Sequence, residues 1–250
     1  MRSPFSLIKR EMKEYDMALS DPLDVASALV RERFEHAVAA FLGGSALSPQ
    51  RTTSSDLDIV VIIDEEGAPY RETLRYDGWL CELFVHDATS FDDFTNREIA
   101  QRRSPLLQMC ADGTILLSRD GIAENYQLLA RDKLEDGPPP LSKAESDQLR
   151  YALTDLLDDF NDAIDRAEFL YIATQLFVKA SELALSSNNQ WTGTGKWMAR
   201  RLAASDPLVL ERLSSGYHDA IGTNQRVALR TIVTEILNAA GGPLAEGYHA

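Results

Sequence analysis

The sequence predicts an α+β fold: a small mixed sheet with flanking helices over residues 1–137, then a helical bundle over residues 141–250. Three observations predict it. Strand-length apolar runs alternate with helical patterns through the first half. Pro138-Pro139-Pro140, preceded by Glu135-Asp136-Gly137, cannot continue a helix and favours an extended spacer. Beyond that spacer nearly every periodic segment repeats at helical spacing.

In chain order, residues 22–35 set Val25, Leu29, Val30 and Phe34 at helical spacing. Residues 38–42 form a short buried strand ending at Gly43-Gly44, and residues 57–63 form a second strand. Residues 71–76 and 79–85 flank Asp77-Gly78, a two-residue link suited to a type I′ hairpin. Helices are expected over 92–103 and 105–111, a strand over 114–118, and a further helix from Ile122. Ser142 and Glu145 have capping-box spacing at the start of the next helix. Its apolar face carries Leu153, Leu156, Leu157, Phe160, Ile164 and Ala167; Asp155, Asp158, Asp159, Asp162 and Asp165 fall opposite, the pattern of a solvated face. Later helices are expected over 170–185, 197–204, 207–214 and 224–239.

Composition narrows the function classes. With 250 residues and 44% hydrophobic content, the chain can bury real cores. A formal net charge of −14 opposes binding to nucleic acid and favours cationic small molecules or metal ions, although acidic surfaces also serve solubility alone. The longest apolar stretches are too short to span a bilayer, so no membrane partner is expected. Residues 1–14 lack the apolar core of a secretory signal, and two cysteines, Cys81 and Cys110, make a disulfide framework improbable. A cytoplasmic protein is expected, with a homodimer among its expected states.

The most informative stretch is FLGGSALSPQRTTSSDLDIVVII, residues 41–63. Alternation on a strand puts Asp56, Asp58 and Val60 on one face and Leu57, Ile59 and Val61 on the other. Two carboxylates that close repel unless a cation lies between them, and Mg²⁺ is a hard ion that prefers carboxylate oxygens. Taken alone, the pair also suits an ordinary strand beginning. Glu82 sharpens the reading, because it interrupts WLCELFV, a strand otherwise apolar throughout. Beside strand 57–63 it would complete a three-carboxylate set; on an edge strand it would face water. Gly43 and Gly44 let backbone approach a ligand closely, and Ser45 offers a hydroxyl to a phosphate.

Gly44-Ser45, the polar spacer and Asp56-Leu57-Asp58-Ile59-Val60 together resemble the signature of the nucleotidyltransferase superfamily, with Glu82 in the place of that family's third strand carboxylate. Within it, the layout of a sheet domain followed by helices resembles the antibiotic nucleotidyltransferases of the aminoglycoside and kanamycin type. The resemblance is strong from residue 42 to residue 85. It implies two Mg²⁺ ions on Asp56, Asp58 and Glu82, and ATP or another nucleoside triphosphate as co-substrate, its phosphates held by Ser45 and the turn. It also implies attack of an acceptor hydroxyl on the α-phosphorus with loss of pyrophosphate. Glu82 is a further candidate for general base. The acceptor expected is a small, cationic molecule; a protein side chain, or no acceptor in a regulatory nucleotide-binding module of antitoxin type, are the other readings.

Lys196 in WTGTGKW does not belong to a P-loop: Trp197 stands where Ser or Thr is needed, and the glycine spacing is short. A glycine-flanked lysine before a helix still suits phosphate, as does Arg200. Lys179 on an apolar helix either snorkels or points at triphosphate. Arg51 in the spacer reaches phosphate or solvent. Trp79 and Trp191 suit core packing better than stacking on a base. His36, His86, His218 and His249 show no metal-ligand spacing.

Overall fold

The structure, a computed structural model, describes residues 20–44, 46–47, 52 and 55–249. It divides into two compact units: residues to Asn96 together with Pro105–Glu135, and Arg97–Ser104 together with the chain from Asp136 onward.

The first unit begins with α1, Pro22–Arg33, followed by β1, Ala37–Gly43, and β2, Leu57–Ile63. Asp21 starts α1 by accepting the N–H groups of Leu23 and Asp24, with Pro22 at the first helical position. Next come β3, Tyr70–Tyr76, and β4, Trp79–His86. Asp77 and Gly78 both have positive φ, 45° and 82°, and Tyr76 pairs with Trp79, which makes the link the two-residue hairpin expected. Then follow α2, Ala88–Ala100, α3, Pro105–Asp112, β5, Thr114–Ser118, and α4, Ile122–Asp136. Helix α2 starts earlier than residue 92 because Asp87 and Ser90 satisfy each other's N–H groups, at 3.0 Å and 2.7 Å.

The sheet order is β3-β4-β2-β1-β5, with β2 and β4 parallel and every other pairing antiparallel. One face is a continuous apolar layer: Leu57, Ile59 and Val61 of β2 and Cys81, Leu83 and Val85 of β4 are buried in one cluster with Val25, Leu29 and Val30 of α1. Each such side chain contributes about 1.5–3 kcal/mol on burial. A one-residue slip of either strand would drive Asp58 or Glu82 into that layer, so packing locks the register that places the acids on the other face.

The second unit contains α5, Lys143–Asp162, α6, Arg166–Ser186, α7, Lys196–Ser205, α8, Pro207–Thr223, and α9, Val227–Ala239. Ser142 and Glu145 form the expected capping box. The helix that follows is shorter than its apolar pattern predicts. It ends at Asp162, and Asp165 accepts the N–H groups of Ala167 and Glu168 at 2.9 Å and 3.0 Å to begin α6. Ile164 therefore lies in the turn, 97% exposed, and Ala167 is exposed as well, so neither joins the core with Leu153, Leu157 and Phe160. Asn224, left-handed at φ 58°, closes α8, which delays α9 to Val227. Arg226 ties α9 to the end of α5, donating to the carbonyl oxygens of Phe160, Asn161 and Ala163 with its guanidinium 4.3 Å from the Phe169 ring. Among the described residues, no helix is long and apolar enough to cross a membrane.

Candidate metal centre

Three carboxylates converge at the N-terminal end of β2, on the sheet face opposite the α1 layer. Asp56 lies just before the strand, Asp58 is its second residue, and Glu82 sits on β4 as the direct parallel partner of Asp58. Asp56, Asp58 and Glu82 each offer an oxygen within 4.8 Å of the other two, and all three are half-buried. Glu82 thus stands beside the aspartates on a neighbouring strand, β3 occupying the sheet edge.

The set fits a hard cation. Oxygens on opposite sides of a Mg²⁺ ion lie about 4.2 Å apart, so a group spanning at most 4.8 Å closes on an ion with small side-chain rotations. The donors are all carboxylate oxygens, which select Mg²⁺, Mn²⁺ or Ca²⁺ over softer metals.

The glycine bend belongs to the same place. Gly43 pairs with Asp58 across β1 and β2. Gly44 has φ 72°, and a β-carbon built on it would overlap Oδ2 of Asp58 and stand 3.0 Å from Cγ. Only glycine leaves room for that carboxylate. Gly43 is required for a different reason: its missing β-carbon makes space for Met109 of α3. Ala46 and Leu47 form a turn, whereas Ser45 and Arg51 lie outside the described residues.

A cation that the sequence reading missed reaches the cluster. The Arg71 guanidinium donates to Oε2 of Glu82 and lies 4.6 Å from the centre of the Phe84 ring. The hairpin carries the signal for this contact: counting outward from Asp77-Gly78 pairs Thr73 with Glu82 and Arg71 with Phe84, so Arg71 is diagonal to Glu82 on one face.

The remaining sequence candidates are placed as follows. In the second unit, Lys179 pairs with Glu182 at 2.8 Å. Lys196 is exposed at the first position of α7, after Gly195 with φ 51°. The Arg200 guanidinium lies 5.0 Å from the Trp197 ring centre. Trp79 and Trp191 are both buried, Trp79 donating from Nε1 to the Ser20 carbonyl oxygen at 3.0 Å. Asp155, Asp158, Asp159, Asp162 and Asp165 are exposed, as a solvated face requires. His86 is buried edge-on against Phe91 and Phe94, and burial lowers its pKa. Burial likewise pushes the Cys81 thiol up to about 11, which leaves it protonated and unreactive.

No protein-family model matches the chain, and no curated protein matches it significantly. Among solved structures, it is similar to a nucleotidyltransferase-like protein from Exiguobacterium sibiricum 255-15, with TM-score 0.42 and 12% identity, covering 88% of this chain and 77% of that one.

Proposed function

We propose that the protein is a Mg²⁺-dependent nucleotidyltransferase that moves a nucleoside monophosphate from ATP or another nucleoside triphosphate to a hydroxyl of a small molecule. The observation that carries this reading is the convergence of Asp56, Asp58 and Glu82 beside the Gly44 bend. An acidic cluster alone binds many cations. Here it stands against a left-handed glycine whose missing side chain lets backbone pass beside a metal-ligating carboxylate, an arrangement suited to an ion that also carries phosphate.

In this reading Asp56, Asp58 and Glu82 hold divalent ions, two in the full site. When bound, they would neutralise the charge that grows on the phosphoryl oxygens and the leaving pyrophosphate. The Gly43-Gly44 backbone and Ser45 orient the β- and γ-phosphates. The acceptor oxygen forms a bond to the α-phosphorus as the bond to pyrophosphate breaks. Its proton passes to a nearby carboxylate, for which Glu82 is the proposed base, and then to solvent. The net charge of −14 supports a cationic acceptor of aminoglycoside type over an anionic one.

The test is transfer of label from α-labelled nucleoside triphosphates, with Mg²⁺, to a panel of aminoglycosides and other small alcohols. Labelled small product is the result expected. Label on protein alone would move the acceptor to a polypeptide, and nucleotide binding without turnover on any acceptor would replace the enzyme by a regulatory module.

A further inference from the structure

We infer that Arg71 is the exchangeable counter-ion of the acidic site: it holds Glu82 while no metal is bound, gives up that carboxylate to the arriving ion, and is then free to bind the anionic phosphates of the co-substrate. The inference rests on the metal-site reading above and adds a residue to it.

Geometry brings the exchange into view. Two cations compete for Glu82, since the oxygen that receives the Arg71 guanidinium belongs to the carboxylate that closes the three-acid set. A guanidinium and a divalent ion on one carboxylate repel, so metal binding weakens the Arg71 contact and the contact weakens metal binding. Little else holds the guanidinium at Glu82. Its side chain is 59% exposed, against 21% for Glu82, and it comes from β3, the edge strand of the sheet. The Phe84 ring beneath it supplies a platform that does not depend on Glu82, so the cation can rotate without losing its stacking contact. Released there, it is a planar donor fork beside a site built for phosphate, and guanidinium groups match phosphate oxygens well.

Two binding measurements on the full chain test this, with no need for turnover. Mn²⁺ binding, followed by electron paramagnetic resonance, should be tighter in Arg71→Gln than in wild type by about two- to fivefold, the worth of an exposed ion pair. Arg75→Gln removes the same charge from the same face of β3 but lies opposite Leu80, and should change Mn²⁺ affinity less. Binding of a non-hydrolysable ATP analogue at saturating Mn²⁺, followed by calorimetry, should be about tenfold weaker in Arg71→Gln, and Arg71→Lys should recover part of it. Mn²⁺ affinity no tighter in Arg71→Gln than in Arg75→Gln overturns the counter-ion role. Analogue affinity unchanged in Arg71→Gln overturns the transfer of Arg71 to phosphate. Wild-type protein that binds no Mn²⁺, or binding that survives Asp58→Asn, is a different failure: it removes the metal site itself, and Arg71 with it.

Discussion

Gly44 and Asp58 stand so close that a β-carbon on the first would overlap a carboxylate oxygen of the second. Gly44→Ala is therefore expected to lose twice. The left-handed backbone costs about 1–2 kcal/mol for any residue with a β-carbon, and the methyl group must also push Asp58 away from Asp56 and Glu82. Gly121 is the comparison, since it has a similar φ of 76° with open space where a β-carbon would go. Gly121→Ala should lower the urea midpoint and leave Mn²⁺ binding intact. Gly44→Ala should lower the midpoint and weaken Mn²⁺ binding together.

Asp58 and Glu82 face each other across the β2–β4 ladder, and each supplies one arm of the cluster. Asp58→Asn and Glu82→Gln keep shape and hydrogen-bonding size while removing one negative charge. Transfer of labelled nucleotide should fall on the order of 10²–10³-fold in either variant, the usual effect of deleting one electrostatic contact to a phosphoryl transition state. Circular dichroism should stay that of wild type, because both side chains are half-buried and lie outside the apolar layer. Transfer at the wild-type rate in Asp58→Asn would withdraw the metal assignment.

The sheet face that holds the site is legible in the sequence because successive strand residues point to opposite faces. Leu57, Ile59 and Val61 can occupy only one face, so Asp56 and Asp58 must share the other. Asp77-Gly78 likewise gives the β3–β4 register, and with it the diagonal between Arg71 and Glu82. Periodicity cannot say which strands are neighbours. The pairing of β2 with β4, on which the third carboxylate depends, is a long-range contact that buries the apolar residues of both strands in one core cluster. Local capping chemistry is where the helical reading misplaced residues. Asp165 followed by Glu168 is a start signal inside an unbroken apolar pattern, and it outweighs the pattern, leaving Ile164 exposed.

Burial of His86 between Phe91 and Phe94 gives a pH dependence with a definite sign. Desolvation lowers its pKa below the ordinary value of 6.5, so below pH 6.5 the unfolded chain binds the proton more readily than the folded one. The contribution is complete above pH 6.5 and is lost as the pH falls toward the folded-state value. Urea midpoints measured at pH 7.5 and pH 5 should therefore drop more for wild type than for His86→Leu, which cannot titrate. Equal drops in the two proteins would assign the acid sensitivity to other groups.

Arg226 joins three parts of the helical unit. It donates to the carbonyl oxygens of Phe160 and Asn161, in the last turn of α5, and of Ala163 just beyond it, and its guanidinium lies over Phe169 of α6. Carbonyls at a helix C-terminus have no partners within the helix and carry partial negative charge, so a cation there satisfies acceptors and opposes the helix dipole together. Arg226→Met keeps much of the stem and removes every donor. It should destabilise the unit by about 1.5–3 kcal/mol, the range for hydrogen bonds to a charged group. Arg226→Lys restores the charge without the planar fork and cannot reach three carbonyls in the same geometry, so it should recover less than half. Urea unfolding followed by circular dichroism at 222 nm reads the difference. Full recovery by lysine would mean that charge alone holds this corner, and that the fork geometry contributes nothing.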